Sequence, residues 1–137
     1  MEDYTYISQI ITQCIITELG CTDFVKDEAN NLISFTYHSL SYICIYDAKD
    51  PYYLRIIIPN IDMLNQNTEN KYLHKILELN AKFKTGKFIT VENALWVVAE
   101  IMLTGVTRVT QTFVDLVNLL EHMRSEYAML LTAGTNI

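Results

Sequence analysis

Residues 67–101 constrain the fold most, because a helix-forming run, ENKYLHKILELNAKFKTGKF, passes directly into two strand-forming runs, FITVE and LWVVAEI. Leu73, Ile76, Leu77, Asn80 and Phe83 recur at helical spacing and fall on one side of a helix, with Leu79 broadening the stripe. Lys71, Lys75, Glu78 and Lys82 lie opposite, and Thr68-Glu69 supplies an N-cap and a first-turn acid. The helix is expected to end at Lys84–Gly86, with Gly86 in the left-handed conformation that closes a helix. Residues 87–92 then alternate, Asn93-Ala94 forms a tight turn, and Leu95–Leu103 forms a longer strand, so the helix feeds a β-hairpin.

Ahead of that unit, residues 4–19 form a helix whose stripe is Ile7, Ile10, Ile11, Cys14, Ile15 and Leu19, with Gly20 as its stop. β-branched isoleucines lower its intrinsic propensity, so packing must hold it. Residues 21–30 read as a polar connection. Three strands follow, Leu32–Tyr37, Leu40–Tyr46 and Tyr52–Ile58, joined by His38-Ser39 and by residues 47–51, both lengths suited to antiparallel hairpins. Pro59-Asn60 ends the third strand. Thr104-Gly105 breaks the last one, and a helix capped by Thr107 or Thr110 runs from Arg108 to Leu130, leaving residues 132–137 as a frayed tail. The reading is a single α+β domain over residues 1–137, in the order α-β-β-β-α-β-β-α, on an antiparallel sheet of about five strands.

Composition narrows the function classes. Half of the 137 residues are apolar and 19% are charged, which argues against disorder. A net charge of −6 argues against a nucleic-acid binder, which needs a basic face. Five of the ten basic residues fall between Lys71 and Lys87; the ordinary reading of such a run is a solvated helix face, and a site for phosphate or an acidic partner is the alternative. The N-terminal run MEDYTYISQIITQC carries acids where an export signal carries basic residues, and Glu100 interrupts the longest apolar run, so a soluble cytoplasmic protein without a membrane span is expected. Cys14, Cys21 and Cys44 lack CxxC spacing and read as buried free thiols rather than a disulfide framework or a zinc site.

Catalytic chemistry finds no carrier. His38, His74 and His122 lie on separate elements, and no HExxH, GxSxG, phosphate-binding glycine loop or cysteine–histidine signature occurs. His74 with Glu78, and His122 with Glu126, have the spacing of surface pairs on helices, and two ligands do not make a metal site. Asn80 stands out as an amide on an apolar stripe. Buried amides are hydrogen-bonded, so it is expected to tie its helix to neighbouring backbone or a strand end. No catalytic residue, metal or cofactor is assigned.

One pattern bears on function. An antiparallel sheet covered on one side alternates apolar with polar residues, yet here Leu54, Ile56 and Ile58 oppose Tyr53 and Ile57, while Leu95, Val97, Ala99 and Ile101 oppose Trp96, Val98 and Met102. Three helices do not readily blanket both faces of five strands. The surplus calls for another protein or a second copy of this chain, unless one helix crosses to the second face.

The run LHKILELNAKFKTGKFITVENALWVVAEIML, with Asn80, Phe83 and Gly86 before a short hairpin and a long closing helix, resembles the YbjN-like family and the related class of type III secretion chaperones. That resemblance implies a small, acidic, cytoplasmic protein without catalytic residues. Secretion chaperones dimerise and hold an unfolded segment of a secreted partner along apolar grooves, and YbjN-like proteins are implicated in regulation.

The leading expectation is therefore a non-enzymatic protein-binding module, a homodimer, engaging a partner polypeptide by strand addition or helix-in-groove contact. Its candidate contacts are Tyr53, Ile57, Trp96, Val98 and Met102. The alternative is a small-molecule-binding α+β protein or enzyme with an enclosed pocket anchored by Asn80, His74 or Tyr42. A purely structural subunit of a larger assembly is a third reading.

Overall fold

A computed structural model describes residues 4–47, 53–64, 66–103 and 109–135. The order is α1 (Tyr4–Thr17), β1 (Phe24–Asp27), β2 (Leu32–Tyr37), β3 (Leu40–Tyr46), β4 (Tyr53–Met63), α2 (Gln66–Lys82), β5 (Gly86–Val91), β6 (Ala94–Met102) and α3 (Val109–Thr135). The six strands among the described residues pair antiparallel in one open sheet, ordered β1-β2-β3-β4-β6-β5. The α+β class is as expected, with one strand more than the five read from the sequence.

The added strand is β1, which lies inside the expected polar connection. Only Phe24 of its FVKD sequence packs against the core, and the strand pairs along β2 from Phe24↔Phe35 to Asp27↔Leu32, an edge position that requires little apolar patterning. Nor does Pro59-Asn60 end β4. Register shifts between Ile58 and Asp62, where Asn60 takes φ 53°, and the strand resumes opposite Leu95 and Ala94. Proline is tolerated there because a bulge releases it from the ladder.

Both tight hairpins use left-handed pairs. His38 and Ser39 have φ of 52° and 64°, as expected for a two-residue turn. The second turn is Glu92-Asn93, φ 49° and 71°, one residue earlier than Asn93-Ala94, because Ala94 already pairs with Val91. Gly20, at φ 69°, does stop α1: the chain turns back there and the Cys21 N–H donates to the Ile15 carbonyl at 2.9 Å.

Gly86 serves otherwise than expected. α2 ends at Lys82, and Gly86 opens β5 without a left-handed φ. A Cβ on it would overlap the Met123 thioether and meet Leu119 at 3.5 Å, so the glycine lets α3 lie close on the strand. Thr110 lies inside α3 rather than at its cap, and α3 continues past Leu130 through Thr135 where a frayed tail is expected. α2 begins at Gln66, so Thr68 lies inside the helix rather than at its N-cap; the 104–105 break, the Thr107 cap and residues 48–52 lie outside the described residues.

One core holds the fold together. Ile7, Ile11 and Ile15 of α1, Ile76, Leu79 and Phe83 of α2, and Phe113, Val117, Leu120 and Met123 of α3 join Phe35, Tyr42, Cys44, Leu54, Ile56, Phe88, Leu95 and Val97 of the sheet in a single buried cluster. All three helices therefore cover the same side. The stripe of α2 is rotated from the one expected: Leu73 and Leu77 are exposed, and Leu79 takes the inward position. Among the described residues no helix is long and apolar enough to cross a membrane.

Candidate interaction surface

Because side chains alternate along a strand, the partners of those core residues point to the uncovered side. Strand pairing aligns them in rows. Ser34, Ile43, Ile57, Val98 and Lys87 form one row across five strands. Beside it run Leu32, Ile45, Arg55 and Glu100, and then Tyr53 with Met102. On its other flank Trp96 stands opposite Ile89 of β5.

All five residues singled out from the sequence thus share this face, though with different access. Ile57 and Val98 are only 2% and 4% exposed, yet neither belongs to the helix-covered core; they form a floor between the adjoining rows. Tyr53 and Trp96 are half-buried, and Met102 is 58% exposed. Trp96 is pinned at the bulge, its Nε1–H donating to Asn60 Oδ1 at 3.1 Å. The Tyr53 hydroxyl donates to Glu100 Oε2 at 3.0 Å, and burial together with that carboxylate raises its pKa. Arg55 Nε lies 3.7 Å from Glu100 Oε1, too far for a hydrogen bond, and is buried without a hydrogen-bond partner.

Towards β1 the face deepens into a shallow cleft of about 270 Å³ lined by Val25, Ser34, Thr36, Ser41, Ile43 and Pro59. It opens on the same side as the rows above. Of the anchors of the enclosed-pocket reading, Tyr42 borders this cleft but Asn80 and His74 do not, so the three do not converge. His74 is exposed on α2, 3.0 Å from Glu78, and the Tyr42 ring is fully buried in the core, stacked on Phe35 with centroids 5.1 Å apart.

Asn80 makes the backbone tie expected of it. Its Nδ2 donates to the Phe88 carbonyl at 3.0 Å, and its Oδ1 accepts from the Phe88 N–H at 2.7 Å, so one side chain occupies both outward backbone groups of Phe88 as a neighbouring strand would. Lys87 Nζ adds bonds to the Asn80 and Phe83 carbonyls at 2.6 and 2.7 Å. The outer edge of the sheet at β5 is therefore closed at its centre.

Remaining polar groups form surface ties. His38 Nδ1 meets Glu121 at 2.8 Å, joining the β2–β3 turn to α3, and Lys82 meets Glu126 at 3.0 Å, joining α2 to α3. Neither tie was signalled by sequence spacing, since the partners lie on separate elements. Cys14, Cys21 and Cys44 are buried and free, as expected, and burial pushes each thiol pKa up. No group of three or more metal-ligating side chains occurs among the described residues. No family model matches the chain, and no curated protein matches it.

Proposed function

We propose that this chain is a non-enzymatic protein-binding module, chaperone-like or a regulatory adaptor, which engages a polypeptide through the uncovered face of its sheet. The observation that carries this reading is the placement of all three helices on one side, leaving Ile43, Ile45, Ile89, Trp96 and Met102 partly exposed over an apolar floor. Burying such a surface is worth roughly 25 cal/mol per Å² before the costs of association. The Asn80 tie across β5 favours packing on the face over strand addition at that edge. Kinship with the YbjN-like proteins and secretion chaperones belongs to the same proposal; its support is the helix, hairpin and long closing helix from α2 to α3. So does a cytoplasmic location, supported by three buried unpaired thiols.

The test is whether the purified protein suppresses aggregation of a chemically denatured reporter protein diluted into buffer. Wild type is expected to hold the reporter, and Trp96→Ala to lose most of that capacity while stability falls by only about 1 kcal/mol, since the ring is half-exposed. Equal losses of holding and of stability would make Trp96 a core residue and sink this reading, as would a wild type that holds nothing.

A further inference from the structure

The uncovered face carries a trough. Ile57 and Val98 pair across β4 and β6 as its nearly buried floor, and longer side chains stand two residues away along the strands on either side. One wall is Arg55 with Glu100, directly opposite each other in the same ladder; the other is Trp96, which pairs with Ile89 of β5. From Trp96 to Glu100 along β6 the walls stand roughly 13 Å apart at the rise of an extended strand.

Those dimensions suit one kind of occupant. An α-helix is about 10 Å across and satisfies its own backbone, so it fits between the walls and rests on apolar side chains without leaving an N–H or C=O unpaired. An extended segment laid on the same floor meets only side chains, and its backbone groups lose water with nothing in exchange. Strand addition does not rescue it at β5, where Asn80 holds both outward groups of Phe88.

The walls add a charge requirement. Arg55 Nε lies 3.7 Å from Glu100 Oε1, an ion pair without a hydrogen bond, and has no hydrogen-bond partner, while Glu100 Oε2 accepts from the Tyr53 hydroxyl. A guanidinium has five donors in a planar fork that suits a carboxylate bidentately. The group missing at this wall is therefore an acid. At the opposite wall the Trp96 N–H is already taken by Asn60, which leaves apolar area.

We infer that the trough receives an amphipathic helix of a partner polypeptide, its apolar stripe on the Ile57–Val98 floor and a glutamate or aspartate bordering that stripe on the side of Arg55. This rests on the binding role proposed above and names the partner's chemistry. The net charge of −6 opposes acidic peptides, so a preference for the acid reports Arg55 and not the general field.

Trp96 is the only tryptophan in the chain and stands on the trough wall, so its fluorescence reports an occupant. The probes are tryptophan-free synthetic helices of about 18 residues with a leucine stripe: one with a glutamate bordering the stripe, one with glutamine there, and one with the glutamate and two central prolines. Titrated into the full chain, the first is expected to shift Trp96 emission to shorter wavelength, the second to do so with a dissociation constant about tenfold higher, and the third to leave it unshifted. In Arg55→Gln the glutamate and glutamine peptides should bind alike. Arg55→Lys, which keeps the charge and loses the fork, should retain part of the difference, and the wild-type comparison stands even if a variant fails to fold. Equal binding of the two peptides by wild type, a glutamate preference that survives in Arg55→Gln, or a proline peptide that binds as well as the first would each overturn the acidic helix as occupant. If no peptide binds yet the denatured reporter is held, the binding face stands and only its occupant is wrong; if the reporter is not held either, both fall.

Discussion

At Gly86 the absent side chain sets how near α3 can lie to the sheet. Met123, which a Cβ there would overlap, is fully buried and has no exposed space into which to swing. Gly86→Ala is expected to cost about 1–3 kcal/mol through overpacking, read as a lower urea midpoint with an unchanged slope. Combined with Met123→Ala the two losses should sum to less than their separate costs, because the new methyl enters the space the thioether leaves. A left-handed role for Gly86 would instead give two independent penalties. Nothing local distinguishes the two roles: a glycine after a helix reads as a stop, and its actual neighbour arrives from the last helix of the chain. Asn80 was legible for the opposite reason. An amide on an apolar stripe must find partners wherever the fold puts it, so its tie could be expected without knowing that Phe88 would supply both groups.

Among the elements, the edges of the sheet were least legible and the helix–hairpin unit most. β5, β6 and their connection follow from alternation and turn length within one residue, whereas β1 is made by pairing with β2 and carries no pattern of its own. The β4 bulge is not legible in the sequence, because Pro59 ordinarily stops a ladder. Edge protection also belongs to this scale. With Asn80→Ala, the Phe88 N–H and C=O lose both partners, and the fold is expected to lose about 1–2 kcal/mol, with water replacing part of the loss. The opened edge should also show itself as faster amide exchange at Phe88 and as slow aggregation at high concentration. Unchanged exchange at Phe88 would mean that α2 shields the edge without the amide.

For the whole molecule, the surplus of apolar strand residues was legible as a period-two pattern on both faces, but which face the helices would take was not, since periodicity fixes a stripe and not its partner. The covered face concentrates neutral groups whose ionised forms the core opposes. Burial raises the pKa of Tyr42 and of Cys44 strongly, with Glu121 adding to Tyr42 and Cys14 to Cys44, and it raises those of Cys14 and Tyr46 as well. Unfolded thiols and phenols ionise near 9.0 and 10.0. Folded-state values above these contribute stability that is whole below the unfolded values and is lost as pH climbs through them toward the folded ones, because the unfolded chain then releases protons that the folded chain keeps. The urea midpoint is therefore expected to hold level from pH 7 to about 8.5 and to fall steadily above that. Tyr42→Phe tests the assignment. Its hydroxyl is buried with no hydrogen-bond partner, so removing it should leave stability at pH 7 unchanged or slightly higher and should flatten the loss above pH 10. A Tyr42→Phe protein that is weaker at pH 7 would show that the hydroxyl is bonded in solution, and an unaltered alkaline slope would move the titration onto the thiols, where Cys44→Ala would then remove it.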